Sequence, residues 1–408
     1  MRILHVSSLY PPHIVGGAEK SVALLSEQLV SMGHDVAAAC IEREGVPKTM
    51  QNGVAVYRMP HHNTFWLEDW PGHSRGGRLW QKLRQQWNTA IEAEFDRILD
   101  DFKPDIMNSH SMVDISTLIW RAAHKRGIPI VHTCRDYDML CGNAAMFRRG
   151  ENCSHWHLGC RVVNLSKLWT SKWVDAAVAV GAATLQVHVD HGFFGHLPPE
   201  RRRVIWNGAI VPEQAARARD AFDRSQQPMT FGYLGRINIE KGVGTLIDAF
   251  RRIGAGNWRV KIAGQAPDTL DEFKKRADGL PIEFVGWVDP FDFFRELDVL
   301  IVPSIWAEPL PRTILESYAI GVPVIGARSG GIPDLIGAGN DAWLFEPGSD
   351  GDLAQKVEQV IRGGRDALPG RDAFDSVFQE TRPPRVAEKY LDLYREVLAL
   401  RAPQAKTA

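Results

Sequence analysis

The side chains best placed to do chemistry lie in the second half of the chain. The segment Gly235-Arg-Ile-Asn-Ile-Glu-Lys-Gly242 follows a β-type run and opens a helical one. Its glycines permit close backbone approach, and a helix N-terminus favours an anion. Arg236 offers a planar fork and Lys241 a point charge, a pair suited to a diphosphate. Taken alone, such a loop also reads as a capped turn with solvated cations. The next strand–loop–helix run, Pro303-Ser-Ile-Trp-Ala-Glu308-Pro-Leu310-Pro-Arg312-Thr313-Ile-Leu-Glu316, adds two carboxylates. Pro311 suits the first turn of a helix. Glu308 therefore precedes that helix and Glu316 lies about a turn and a half inside it. From there the two carboxylates can reach two places on one ligand. The N–H groups of Arg312 and Thr313 are helix-start donors for phosphate. Arg328-Ser-Gly330-Gly331-Ile-Pro-Asp334 follows as a third Gly-rich strand end. Two glutamates eight apart ordinarily mark a solvated helix face; three anion-friendly strand ends in one domain point instead to a binding rim.

Such a rim needs parallel sheets behind it. Short apolar runs alternate with amphipathic helical stretches throughout, the pattern of βαβ units. The first series of strands is expected at Arg2–Leu9, Asp35–Glu42, Val54–Met59, Asp105–Ser109, Pro129–His132, Ala176–Val180 and Arg203–Trp206. A helix is expected over Ala18–Met32, where Val22, Leu25, Leu29 and Met32 form one stripe. The second series is expected at Met229–Leu234, Arg259–Ala263, Ile282–Val285, Val299–Val302, Pro323–Ile325 and Ala342–Phe345. Between the series runs a polar stretch, with a hinge expected near 208–228. In the last helix, Val386, Tyr390, Leu393, Tyr394 and Val397 share a face. The 408 residues thus divide into an acceptor-binding domain at 1–208, a donor-binding domain at 209–384, and a C-terminal helix and tail at 385–408. The tail 402–408 is expected to fray. Ligands of such sheets bind at the carboxyl ends of the strands, so the expected site is a central cleft faced by both domains.

Composition removes several classes of function. With 48 Lys and Arg against 49 Asp and Glu, the chain lacks the basic excess of a protein that holds nucleic acid over a large face. No apolar run reaches the length of a membrane-spanning helix. The start, MRILHVSSLYPP, reads as a buried strand and not as a signal peptide. Five cysteines, an odd and sparse count, fit a reducing compartment. A cytoplasmic protein is expected.

The combined motifs resemble glycosyltransferase family 4, the retaining enzymes of GT-B fold. The resemblance rests on Glu308 and Glu316 in their context, the Gly235–Gly242 loop and the Gly330-Gly331-Ile-Pro-Asp-Leu segment. It extends to Tyr10-Pro-Pro-His-Ile-Val-Gly16-Gly17 and to Asn207-Gly208, and so covers nearly the whole chain. It implies an α/β architecture of two Rossmann-like doubly wound domains, with the C-terminal helix crossing back to the first. It also implies that Arg236 and Lys241 hold a donor diphosphate and stabilise the charge of the leaving nucleotide, in place of a divalent metal. By the same resemblance Glu308 contacts donor-sugar hydroxyls, Glu316 binds the ribose, and Trp287-Val288 lies at the base. Leu310, Arg312 and Thr313 complete the donor set, and Gly16 and Gly17 bring the first loop close to phosphate or acceptor. Family members retain anomeric configuration, described as front-face attack with the donor phosphate accepting the acceptor's proton.

The first domain departs from this pattern. Pro129-Ile-Val-His132-Thr-Cys-Arg135-Asp136-Tyr-Asp-Met-Leu-Cys141-Gly-Asn resembles a subgroup that carries His where Arg135 stands here. Arginine can donate to a sugar or phosphate but cannot act as a base. Asp136 is the neighbouring carboxylate that can orient an acceptor hydroxyl, and His110 is a second candidate at a strand end. Cys141, Cys153 and Cys160 lie with His155 and His157 within 20 residues. These are ligand types for a structural zinc, although loop residues with a buried thiol are the plainer reading. The stretch from Phe65 to Trp87 is rich in Trp and basic, with Trp80, Leu83 and Trp87 on one helical face. That face packs into a core or rests on an anionic membrane surface.

The expected activity is retaining, metal-independent transfer of a hexosyl group from a nucleoside-diphosphate sugar, UDP- or GDP-linked. The acceptor is a hydroxyl of a glycan, a lipid-linked saccharide or a small metabolite. No cofactor and no nucleic acid partner is expected. Peripheral contact with the inner membrane face is. Two other readings share these motifs: a nucleotide-sugar 2-epimerase of the same fold, and a non-catalytic nucleotide-sugar-binding protein.

Overall fold

A computed structural model describes residues 1–210, 213–266, 269–337 and 341–401. Val211 and Pro212 of the expected hinge, and the tail 402–408, lie outside the described residues. The chain forms two compact units. The first comprises Met1–Met146, Cys153–Gly208 and the C-terminal stretch from Pro383; the second comprises Phe147–Asn152 and Ala209–Arg382.

The first unit is built on eight strands: β1 (Arg2–Val6), β2 (Asp35–Glu42), β3 (Val46–Gln51), β4 (Val54–Pro60), β5 (Ile106–Ser109), β6 (Ile130–Cys134), then, after the short hairpin β7 (Phe147–Arg148) and β8 (Glu151–Asn152) of the second unit, β9 (Ala176–Ala179) and β10 (Arg202–Val204). Their order is β10-β9-β6-β5-β1-β2-β4-β3. Every pair is parallel except β3 with β4. The inner strands are buried on both faces, which is why they read as continuous apolar runs. β3 gave no such run. It is a solvated edge strand carrying Pro47 and Lys48, residues that blunt an open edge.

The helix Gly17–Ser31 buries Val22, Leu25 and Leu29 against this sheet, as its spacing predicts. The helix Pro383–Arg401 packs into the same core through Val386, Tyr390, Leu393, Tyr394 and Val397. Polar bonds anchor it as well, Tyr390 Oη donating to Thr133 Oγ1 at 3.5 Å. Asn108 Nδ2 donates to Tyr394 Oη at 2.7 Å, and Thr133 Oγ1 donates to Asn108 Oδ1 at 3.0 Å. Buried polar groups are stable only when paired in this way.

The second unit carries six parallel strands: β11 (Met229–Leu234), β12 (Trp258–Ala263), β13 (Ile282–Gly286), β14 (Val299–Val302), β15 (Val324–Ala327) and β16 (Leu344–Phe345). Their order is β13-β12-β11-β14-β15-β16. The helix Val243–Ile253 follows β11 and buries Leu246, Ala249 and Phe250. The polar stretch before β11 holds a further helix, Glu213–Asp220. Among the described residues, no helix is long and apolar enough to cross a membrane.

Candidate functional site

In the second unit β11 and β14 are sheet neighbours, so the loops that leave their carboxyl ends lie side by side. The Gly235–Gly242 loop is tied down from within. Tyr233 Oη donates to the carbonyl of Arg236 at 2.6 Å, and Asn238 Oδ1 accepts from Lys241 N at 3.1 Å. The carbonyl of Glu240 accepts both Ile305 N and Trp306 N at 3.0 Å, joining the loop to the one after β14. Gly242 sits at φ +73°, and a Cβ there would lie 1.8 Å from the carbonyl oxygen of Pro303. The close approach of the two loops therefore requires glycine at this position.

Arg236 reaches outward, its side chain 69% exposed and 3.6 Å from Glu240. Lys241 turns inward. Its Nζ is 2.8 Å from Glu308 Oε2 and 4.8 Å from the centre of the Trp306 ring. Glu308 is buried, and Ser304 Oγ donates to its other carboxylate oxygen. Its loop is held on two further sides. Gly331 N donates to the carbonyl of Glu308 at 2.7 Å. Asn152, grouped with this unit, donates from Nδ2 to the carbonyl of Ile305 at 2.8 Å and accepts from Ala307 N at 2.9 Å. The helix Arg312–Ala319 follows with Pro311 as its N-cap; it carries Thr313 in its first turn and Glu316 further on, 3.3 Å from Arg312. Leu310 is buried beside the Gly330-Gly331 backbone. Trp287 and Val288 follow β13, and Trp287 is 77% exposed. The structure thus gathers Arg236, Lys241, Glu308, Arg312, Thr313 and Glu316 at two adjacent strand ends, with Trp287 at the end of β13. Such a rim can hold a polyanion through two cations while two carboxylates accept from hydroxyls.

Ser304 and Asn152 are absent from the sequence reading. Both are ordinary loop residues, and no spacing marks them.

In the first unit Gly16 and Gly17 begin the helix after β1, in an exposed loop. Arg135 leaves the end of β6 and is buried. Its Nε donates to His110 Nδ1 at 3.2 Å, and its Nη1 donates to Asn207 Oδ1. A guanidinium only donates, so Nδ1 of His110 carries the lone pair and Nε2 the proton. Burial, reinforced by the Arg135 charge, holds the His110 imidazole well below its ordinary pKa. His110 is fully buried, and its acceptor nitrogen is engaged by Arg135. Asp136 is partly exposed and accepts from Ser111 Oγ at 2.9 Å and from Asp138 N at 2.8 Å. Burial and the neighbouring Asp138 carboxylate push Asp136 well above the usual carboxylate range. Burial is the largest single influence on Asp138 and opposes its ionisation, but the Lys167 ammonium at 3.1 Å and the hydrogen bond with Asp136 lead the effects that together outweigh it and hold that group low. The two neighbouring carboxyl groups are thus pushed in opposite directions. His132 faces elsewhere, its Nδ1 2.9 Å from Ser109 Oγ.

Cys141, Cys153 and Cys160 are partly exposed free thiols. The Cys160 thiol donates to Cys141, and with backbone N–H groups of Asn143, Ala145 and Met146 it lowers the Cys141 pKa to about 5. Among the described residues, no group of three or more His, Cys, Asp or Glu is arranged to hold a metal ion.

Two family models match the chain. Glycosyltransferase Family 4 matches residues 15–210, and Glycosyl transferases group 1 matches residues 228–363. A Klebsiella pneumoniae protein described as an uncharacterized 42.6 kDa protein in the cps region is 29% identical over 82% of this chain and 87% of its own. Among solved structures, sucrose-phosphate synthase from Thermosynechococcus elongatus aligns with a TM-score of 0.72 at 16% identity, over 98% of this chain and 100% of that one. Anabaena HepE, solved in complex with UDP and glucose, aligns at 0.67 and 17% identity over 97% and 100%. These matches, with the two parallel-sheet units and the rim at β11 and β14, establish that the chain belongs to glycosyltransferase family 4 and is a glycosyltransferase of GT-B fold.

Proposed function

We propose that the protein transfers a hexosyl group from a UDP- or GDP-sugar to a hydroxyl of a glycan, a lipid-linked saccharide or a small metabolite, with retention and without a divalent metal. The observation that carries this reading is the pairing of two cations and two carboxylates on the neighbouring ends of β11 and β14. Arg236 and Lys241 hold the diphosphate and stabilise the charge that develops as it leaves. Glu308 accepts from donor-sugar hydroxyls, Glu316 from the ribose, and the segment Trp287-Val288 borders the base. In the first unit Asp136 orients the acceptor. Arg135 donates to sugar or phosphate, and His110 acts through it as a positioning residue. The odd, sparse count of five cysteines supports a reducing compartment, and we place the enzyme in the cytoplasm, in peripheral contact with the inner membrane face.

The test is a panel of UDP- and GDP-sugars with candidate acceptors, in EDTA, followed by release of nucleoside diphosphate and by NMR of the anomeric proton. Release that depends on acceptor, with retained configuration, is the expected result. Conversion of the donor sugar without acceptor would make the protein an epimerase. Donor binding with no turnover on any acceptor would make it a binding protein.

A further inference from the structure

The helix Arg75–Gln85 is amphipathic with its faces reversed. Gln81 is fully buried and Gln85 nearly so, while Leu79, Trp80 and Leu83 face outward, Trp80 with 62% of its surface exposed. The inward face is fixed. Gln81 Oε1 accepts from Phe65 N at 2.9 Å, and its Nε2 donates to the carbonyl of Phe65 at 3.1 Å. The apolar stripe is therefore held outward by the same bonds that hold the glutamine in. The surface continues past this helix. Trp87 is half exposed, and its ring lies 6.0 Å from that of Trp169. Trp169 and Leu165 belong to the helix Leu165–Thr170, and the adjoining helix Leu158–Val163 packs on the reversed one and presents Leu158, 74% exposed, and Val162. An apolar patch of this extent on one face marks a contact surface.

Its charge selects the partner. Residues 75–87 and 158–173 hold seven Lys and Arg and no Asp or Glu, in a chain whose acids and bases balance overall. Lys82 and Lys167 turn inward onto Asp114 and Asp138, at 3.4 and 3.1 Å. Arg75, Arg84, Arg161 and Lys172 are exposed. A second copy of the chain would bring the same cations against these. Phosphate headgroups over an acyl layer match both features at once, and indole rings favour that depth. We propose that this face seats the first unit on an anionic lipid bilayer, with Trp80, Leu165 and Trp169 entering the acyl boundary. The proposal deepens the peripheral membrane contact of the functional reading. It rests on that reading only for its consequence, presentation of a lipid-linked acceptor.

The test uses the full chain and vesicles of phosphatidylcholine alone or mixed equally with phosphatidylglycerol. Co-sedimentation with the mixed vesicles at least tenfold above the neutral ones, weakened by salt and lost in Trp80→Glu combined with Leu165→Glu, is the expected result. Met50→Glu, on the exposed edge strand β3, should sediment like the wild type. Failure to sediment with anionic vesicles would overturn the proposal. So would sedimentation unchanged by the double substitution, or a concentration-dependent dimer in ultracentrifugation that the same substitution abolishes. UDP or GDP binding by the double variant, followed by thermal shift, should match the wild type. Failure of the lipid contact and failure of the transferase reading are then seen separately.

Discussion

Lys241 Nζ lies 2.8 Å from Glu308 Oε2, so the cation assigned to the donor diphosphate and the carboxylate assigned to the donor sugar are each other's partner. The pair is largely shielded from water and further tied by Ser304, which gives the carboxylate a second donor. In the proposed reading, phosphate and Glu308 compete for one ammonium. Glu308→Gln removes the competitor while keeping shape and the Ser304 contact. Nucleoside diphosphate should bind Glu308→Gln at least as tightly as wild type in calorimetry, while kcat falls by about a hundredfold or more through loss of transition-state contacts to the sugar. Weaker nucleotide binding in that variant would contradict the competition.

Gly330 adopts φ +56°, and a Cβ there would lie 2.0 Å from the carbonyl oxygen of Glu308. Gly330→Ala should therefore displace the loop that holds Glu308, costing about 1–3 kcal/mol in strained backbone alone and lowering turnover with it. Gly348→Ala is the matched control. Its φ is +77°, but nothing lies within 4 Å of the added carbon. Thermal melts and kcat of the two variants separate backbone strain from displacement of Glu308; equal activity in both would contradict the account.

His5 and His132 are buried neutral. Burial, aided for His5 by the Arg135 charge, lowers each to about 3. In the unfolded chain each titrates near 6.5. Their folded pKa values are depressed, so protons bind the unfolded state first as pH falls. Stability is fully present above 6.5 and is lost on the way down towards 3, at a limiting slope of about 1.4 kcal/mol per pH unit for each histidine. Urea melts between pH 7.5 and 4.5 should show this loss. A flat stability over that range would contradict the burial of both rings.

Arg135 gives its hydrogen bonds to His110 and Asn207 from a buried position. Arg135→Met should leave the buried His110 without its donor, at a cost of about 1–3 kcal/mol, and remove a further bond to the partly exposed Asn207. Arg135→Lys keeps the charge but not the fork, and should recover only part of that stability. Denaturant titration of the two variants checks the order.

The parallel sheets and the rim at the ends of β11 and β14 were legible because their signals are local: apolar runs of strand length, glycines where two loops meet, and charges at fixed offsets. The last helix was legible from its stripe, since Tyr390 and Tyr394 face the core as the period requires. In the first unit Arg135, Asp136 and His110 were legible as separate candidates, but the bond between His110 and Arg135 was not. His110 and Arg135 are 25 residues apart and meet only because β5 and β6 pair in parallel. The faces of the helix Arg75–Gln85 were legible as a stripe, but period alone does not say which face is buried; the two bonds of Gln81 to Phe65 decide it.

The central claim is that Arg236 and Lys241 hold the diphosphate of a nucleotide sugar at the rim of the second unit. Calorimetric titration of UDP and GDP into the wild type and into Arg236→Ala combined with Lys241→Ala tests it most directly. The account predicts that one of these nucleotides binds the wild type and that its affinity falls at least a hundredfold in the double variant, about 2.7 kcal/mol, with the fold intact by circular dichroism. Equal affinity in the double variant, or no binding of either nucleotide to the wild type, would contradict it.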